Sequence, residues 1–222
     1  MKKMNSNRKT TIIVGVLFII ATLFSSLTFI LLGFLDAPDY LAKVSANETQ
    51  VWIVMFLEFI WALSVVGIPV MLFPILKKYN ETLTRGFFSL RFIEAITTII
   101  GTIGLLTLLT LSQEFIQAGA PVASHYQVLG SLLIAARNWN FMIGSGLVFS
   151  LSAIILNYVL YKSKLIPRWL SGWGLIGAIL CFSTFFLQFF GIYLEILFVP
   201  IAVQEMIFAV WLIFKGFNLK KK

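Results

Sequence analysis

The chain has 222 residues, of which 59% are apolar and 12% are charged, and its formal net charge is +8. Soluble domains carry about 25% charged residues and less apolar material, so this composition indicates a protein that resides in a lipid bilayer. The basic residues stand at the ends of apolar runs, where they set membrane topology. The positive charge therefore does not predict nucleic-acid binding.

Six apolar runs are long enough to cross the hydrocarbon core, which takes about 20 residues of helix. These runs cover 10–35, 49–76, 86–111, 128–161, 172–192 and 198–217. The first run is too long for a secretory signal and lacks a small-residue cleavage site, so we interpret it as an uncleaved span. Because the connections are short, the sequence predicts one integral membrane domain over 1–222, an all-α bundle of six transmembrane helices.

Basic residues are distributed unequally between the two sides of the predicted bilayer. Fifteen of the seventeen Lys and Arg residues fall on one side, in the two tails, in the turns at 77–85 and 161–171, and at Arg91. The other side holds Lys43, and Arg137 is embedded or at its edge. The positive-inside rule therefore predicts that both termini are cytoplasmic.

The segment 132–144 places Arg137 and two amides inside an apolar run. Ionisable groups in hydrocarbon cost a few kcal/mol each, so they persist when they are paired, hydrated or functional. We expect Arg137 to bind Glu58 or Glu205, because the planar guanidinium fork suits a carboxylate. The amides that could complete the hydrogen bonds are Asn138, Asn140, Gln188 and Gln204. Such a cluster either anchors a substrate or handles protons, or it is a structural ion pair that fixes helix register.

Glu94 and Glu205 also lie inside apolar runs. Glu94 follows Arg91 by three residues, so the two share a helix face and can neutralise each other. Alternatively, Arg91 is close enough to the inner surface to act as an interfacial anchor. Glu205 lies near the middle of the last run with no basic neighbour on its own turn. Its carboxyl must therefore be protonated or find a partner on another helix, as in a proton-coupled carrier.

No residue pattern predicts a catalytic group, a cofactor or a metal site. The one histidine, His125, is expected in an outer loop, and the one cysteine, Cys181, in an apolar segment. The acids are scattered over several helices rather than grouped at metal-ligand spacing. The string 172–177 spells GxGxxG, but no strand precedes it, so helix packing explains these glycines better than a dinucleotide site.

The first three and the last three runs have opposite orientations, which is the topology of the inverted repeats found in transporters. Each third run carries an acid about two turns in, Glu94 and Glu205. We therefore expect a carrier or binder of a small or amphipathic molecule, with a polar cavity that reaches Arg137 or Glu205. The alternatives are a non-catalytic structural, sensory or partner-binding membrane protein without such a cavity and, well behind, a lipid-modifying enzyme. No residue pattern in the sequence predicts the substrate or the oligomeric state.

Four segments carry a resemblance to a known family, and they cover 73–95, 132–141, 160–178 and 200–218. Their most specific parts are Asn80-Glu81, Arg91-x-x-Glu94, Pro167-Arg168-Trp169 and Glu205 with Lys215-Gly216-Phe217. In content and order they resemble the bacterial membrane family described as domain of unknown function 4386. The resemblance implies a six-helix protein of the bacterial inner membrane, and it implies no activity.

Overall fold

The computed structural model describes residues 6–121 and 125–219, and over these residues the regular elements are all helical. The α-helices are α1 (Ser6–Leu31), α2 (Tyr40–Ala46), α3 (Glu48–Leu76), α4 (Glu81–Gln117), α5 (His125–Phe141), α6 (Phe149–Ser163), α7 (Arg168–Gln188) and α8 (Val199–Phe214). A π-helical segment, Met142–Val148, joins α5 to α6, and short 3₁₀ helices at Gly33–Asp36 and Glu195–Phe198 precede α2 and α8.

Six stretches in the described part of the chain are long and apolar enough to cross a membrane. They are Asn7–Asp36, Glu48–Leu76, Glu81–Gln117, His125–Ser163, Arg168–Gln188 and Glu195–Phe214. Side chains such as Ile30, Ile103 and Phe214 point outward from these helices, where hydrocarbon would surround them. The prediction of an all-α bundle with six transmembrane helices is confirmed.

The connections contain more helix than the sequence predicted. The expected outer loop at 36–48 folds partly into α2, which packs against α4 and buries Leu41 and Val44. The third span starts at Glu81 rather than at 86, because the Asn80 side chain caps it by accepting a hydrogen bond from the Leu83 amide at 2.9 Å.

The outer connection between α4 and α5 is also shorter than the predicted loop. His125, expected in that loop, is the first residue of α5. Gly119 and Ala120 both have positive φ, and the Ala120 amide bonds the Phe115 carbonyl oxygen at 3.0 Å, which closes the last turn of α4.

Helix α4 lies at the centre of the bundle. It packs against α3 on one side and against α5, the π segment and α6 on the other, while α7 lies between α6 and α8. Helix α1 closes the bundle by packing against both α3 and α8. A large buried cluster joins these helices through side chains such as Phe18, Ile68, Phe87, Leu160 and Phe208.

The first and last transmembrane helices are fastened together at one end. Gly15 allows a close approach, because a Cβ there would lie 2.7 Å from the carbonyl oxygen of Ala209. The Arg8 guanidinium donates hydrogen bonds to three carbonyl oxygens at the end of α8, those of Leu212, Ile213 and Phe214. A cation at a helix C-terminus also interacts favourably with the helix dipole.

The glycines of the GxGxxG string lie at helix contacts. A Cβ at Gly177 would lie 3.0 Å from the backbone nitrogen of Ile201, and a Cβ at Gly174 would lie 2.7 Å from the Gln204 amide nitrogen. The string therefore packs α7 against α8, which confirms its interpretation as a packing motif.

Candidate functional site

A cavity of about 640 Å³ lies between the helices. Ligand pockets usually enclose about 300–1,000 Å³, so this volume suits a small organic molecule. Its walls include buried ionisable side chains from four helices, α3, α4, α5 and α8. These side chains are Glu58, Arg91, Glu94, Arg137 and Glu205. The cavity therefore collects in one place most of the ionisable residues that the sequence singled out.

Arg137 on α5 binds Glu58 on α3. Both terminal nitrogens of its guanidinium contact the Glu58 carboxylate, and Nη1 also donates to the Gly101 carbonyl oxygen at 2.8 Å. The Thr102 hydroxyl completes the arrangement by donating to Glu58 Oε2 at 2.7 Å. The Glu58 side chain is 2% exposed and the Arg137 side chain 15% exposed. Of the two carboxylates that the sequence offered to Arg137, the structure places Glu58 beside it.

Arg91 binds two acids rather than one. Its Nη1 donates to both carboxylate oxygens of Glu94 at 3.2 and 3.3 Å, within α4. Its Nη2 donates to Glu205 Oε1 on α8 at 3.5 Å. The partner that Glu205 needed on another helix is therefore Arg91. With both acids ionised, the two carboxylates outnumber the one guanidinium, so the cluster of Arg91, Glu94 and Glu205 has a net negative charge.

Arg91 is not an interfacial anchor, so that interpretation of the sequence is wrong. Its side chain is 3% exposed, and its guanidinium lies over the rings of Phe18, Phe87 and Phe149 at 5.8, 5.8 and 5.1 Å. Position along the helix brought Arg91 near the inner surface, but its face of α4 points into the bundle. The aromatic rings and the two carboxylates hold the cation there.

A polar stripe on α4 connects the two charged clusters. Its buried members follow one another at intervals of three or four residues, which places them on one helix face. They are Arg91, Glu94, Thr98, Gly101 and Thr102. Seven residues separate Glu94 from Gly101, so the two clusters lie about 10 Å apart along the helix axis. The threonines were not singled out in the sequence, although this spacing would have indicated them.

The π-helical segment brings α5 close to α4. The Asn140 side chain donates to the Thr97 carbonyl oxygen at 2.5 Å, and Gly144 packs directly against the Thr97 side chain. Gly146 faces the Phe185 ring, which a Cβ would approach to 2.6 Å. These contacts hold the π segment and the end of α5 close to α4 and α7. Single-turn π segments inside helices are often found at functional sites.

Three of the four amides expected around Arg137 line the cavity, Asn138, Asn140 and Gln188, and Gln204 does not. Of the lining amides, Asn138 is exposed. Gln204 instead donates to Asn157 Oδ1 at 3.4 Å and to the Leu170 carbonyl oxygen at 3.2 Å, between α6, α7 and α8. The expectation that Gln204 bonds to Arg137 is therefore wrong.

The cavity reaches the protein surface at the connection between α7 and α8. Tyr193 and Glu195 in that connection are both exposed and line its mouth. Deeper in, the hydroxyl of Thr28 and the Nε of Arg91 are buried and have no hydrogen-bond partner among the described residues. Both atoms are closed off from water-sized molecules, so they lie within the packed wall and do not face the cavity space.

Other chemistry-bearing residues lie away from the cavity. The His125 ring stacks on Tyr126, with the centroids 4.2 Å apart. Cys181 is buried and accepts a hydrogen bond from the Ser150 hydroxyl at 3.2 Å. Over residues 6–121 and 125–219, His, Cys, Asp and Glu do not form a group of three that could hold a metal ion.

Six apolar helices that enclose paired charges define a polytopic α-helical membrane protein. The chain belongs to the family described as Domain of unknown function (DUF4386), whose model matches residues 13–216. Comparison with curated proteins and with solved structures gives no match. The resemblance noted in the sequence is confirmed, and function must be inferred from the cavity.

Proposed function

We propose that this protein is a membrane carrier of a small or amphipathic molecule, which binds in the cavity between the helices. The observation that carries the proposal is that both charged clusters open onto one cavity of about 640 Å³. An ion pair that only fixes helix register needs to be enclosed by packed side chains, where neither water nor a ligand can bind its charged groups. Here the pairs face a space large enough for a drug-sized molecule.

A hydroxyl-rich face of α1 supports a path for such a molecule. Four hydroxyl side chains of α1 line the cavity, and they are Thr22, Ser25, Ser26 and Thr28. They span about 9 Å of the helix axis. Together with Glu195 at the mouth and Glu205 inside, they provide polar contacts from the surface into the bundle.

The proposal extends to the location of the protein. The family resemblance and the basic side of the bundle support a bacterial inner membrane with cytoplasmic termini. In this orientation the connection that carries Tyr193 and Glu195 lies on the outer side, so the cavity opens outward.

Cysteine labelling tests whether the cavity is accessible to water. Cys181 is replaced by Ala, and the resulting cysteine-free protein receives either Thr98→Cys or Thr107→Cys. Thr98 lines the cavity, whereas Thr107 is exposed on the outside of α4. The two positions are nine residues apart on one α-helix, so their side chains point to opposite faces. At both positions the change is from Thr to Cys, so the two variants differ only in location. The reagents are membrane-impermeant methanethiosulfonates applied to the protein in liposomes.

We expect Thr98→Cys to react at least tenfold faster than Thr107→Cys, because only the cavity side contacts water. For a carrier, a fraction of the molecules should also react at position 98 when the reagent is on the other side of the membrane. Equal and slow labelling at both positions would contradict the proposal. That result would favour the alternative, a packed membrane protein with a structural, sensory or partner-binding role.

A further inference from the structure

We infer that the molecule bound in the cavity is an amphipathic organic cation with a single positive charge. This inference rests on the proposed function, because it specifies what the same cavity would bind. It is carried by three features of the lining: its charge balance, the loose hold on one carboxylate, and its aromatic walls.

The ionisable side chains that line the described cavity are acidic in excess. Four are acids and two are bases, and they are Glu58, Glu94, Glu195, Glu205, Arg91 and Arg137. The positive charge of Arg137 is paired with Glu58, and its Nη1 also donates to the Gly101 carbonyl oxygen. With these acids ionised, the negative excess lies at the inner cluster, which is Arg91 with Glu94 and Glu205, and at Glu195 in the mouth. Because water-poor surroundings strengthen electrostatic attraction, this excess favours a cation.

Glu205 is the carboxylate best placed to contact that cation. Its contact with Arg91 measures 3.5 Å, at the outer limit for a hydrogen bond, and involves Oε1 alone. Its other partner is the neutral hydroxyl of Thr22. The Arg91 side chain is held more closely by Glu94, with both oxygens within 3.3 Å. The Glu205 side chain is 13% exposed, against 3% for Glu94. Glu205 can therefore turn towards a bound cation while Arg91 keeps Glu94.

Aromatic rings make up much of the rest of the lining. The aromatic lining residues are Phe18, Phe29, Trp61, Phe141, Phe149, Phe185, Tyr193 and Phe198. Ring faces attract cations and also bury apolar groups, so they suit a charged centre with an apolar body. An anion would gain little here, because it would have to displace the carboxylates from both arginines.

Two ions of matched shape and opposite charge test this inference. Tetraphenylphosphonium and tetraphenylborate are offered to the purified wild-type protein in a neutral detergent. Binding is measured by equilibrium dialysis, with protein-free micelles subtracted. We expect saturable binding of tetraphenylphosphonium and at least tenfold weaker binding of tetraphenylborate. This comparison requires no variant, so it does not depend on whether a mutant folds.

Variants then locate the cation. Glu205→Gln removes the negative excess of the inner cluster, and we expect it to weaken tetraphenylphosphonium binding at least tenfold. Glu114→Gln is the matched control, because Glu114 is exposed on α4 and does not line the cavity. Binding to this control should equal that of the wild type. Unchanged binding to a folded Glu205→Gln protein would overturn the assignment of Glu205.

The outcomes separate this inference from the proposed function. Tetraphenylborate binding as tight as that of tetraphenylphosphonium would overturn the preference for cations, yet it would agree with a carrier of amphipathic molecules. Binding of neither ion would overturn the inference as well, and the labelling of position 98 would then decide independently whether the cavity is accessible. Slower labelling at position 98 in the presence of tetraphenylphosphonium would place the ion in this cavity.

Discussion

Arg91 Nη2 and Glu205 Oε1 lie 3.5 Å apart, although 114 residues separate them in sequence. The contact joins α4, in the first half of the chain, to α8, in the second half. Glu94 lies on α4 and Glu205 on α8, and the structure brings both to the same guanidinium. The two halves of the bundle are thus tied together at the wall of the cavity.

The pair of Glu58 and Arg137 should be more sensitive to losing one partner than to losing both. Glu58→Gln leaves a largely buried guanidinium without its carboxylate, and we expect a loss of about 3 kcal/mol or more in unfolding free energy. The double variant Glu58→Gln with Arg137→Met should lose less. Thermal unfolding can be followed with a thiol-reactive dye, because Cys181 is the single cysteine and is fully buried. A double variant as unstable as the sum of the two single variants would contradict the prediction.

Gly144 should tolerate no side chain. A Cβ there would lie 2.5 Å from the Thr97 Cβ, so Gly144→Ala must push the π segment away from α4. We expect a loss of about 1–3 kcal/mol, as in other overpacked cores. Gly104→Ala is the control, because nothing lies within 4 Å of its Cβ position. Alanine has the higher helix propensity, so this control should be neutral or more stable by up to about 1 kcal/mol. The unfolding temperatures of the two variants in detergent provide the measurement.

Tyr40 should contribute stability that is lost in alkali. Its hydroxyl donates to the Gln127 carbonyl oxygen at 2.9 Å, and burial raises the pKa of Tyr40 above its ordinary value of 10.0. The neutral hydroxyl is therefore favoured in the folded state, and its contribution is complete below that value and declines as the pH rises above it. Tyr40→Phe should cost about 0.5–1 kcal/mol at neutral pH, because the hydrogen bond is partly exposed.

The measurement for Tyr40 is the difference in unfolding free energy between wild type and Tyr40→Phe as a function of pH. This difference should shrink once the tyrosine ionises. A difference that stays constant into strong alkali would show that the hydroxyl contributes nothing that depends on its proton.

The orientation of the bundle can be tested with reporter fusions. Alkaline phosphatase fused after Gln117, at the end of α4, should be active because that end is predicted to face outward. The same enzyme fused after Asn218 should be inactive, while green fluorescent protein at that point should fluoresce. The reverse pattern would mean that the arrangement of basic residues does not set the topology of this chain.

Much of the fold follows from the sequence because apolar length and flanking charge are local properties. The six spans and the packing role of Gly174 and Gly177 are examples. The partners of the buried charges are not local. Arg137 had two possible carboxylates, and only the arrangement of α3, α5 and α8 decides between them. The sequence indicates how far Arg91 lies from the inner surface along α4. Its burial depends instead on which face of α4 it occupies, and that requires the positions of the neighbouring helices.

The π-helical segment could not be predicted from the sequence either. Glycines at 144 and 146 are compatible with either a bend in the helix or a close helix contact, so the sequence does not decide between the two. The Thr97 and Phe185 side chains that fill the space beside them lie on two other helices. The pattern of Arg91, Glu94, Thr98 and Thr102 on α4, in contrast, was present in the sequence and indicates the face that lines the cavity.

The contact between Arg8 and the carbonyl oxygens that end α8 bears on how the chain is made. Helix α1 is made before α8, so it must stay in the lipid without this neighbour while α2 to α7 are made. Until α8 arrives, the guanidinium of Arg8 and the groove at Gly15 have no counterpart. The contact between α1 and α8 can therefore form only after α8 has been made, and shortening the chain before Leu212 would remove the carbonyl oxygens that Arg8 binds.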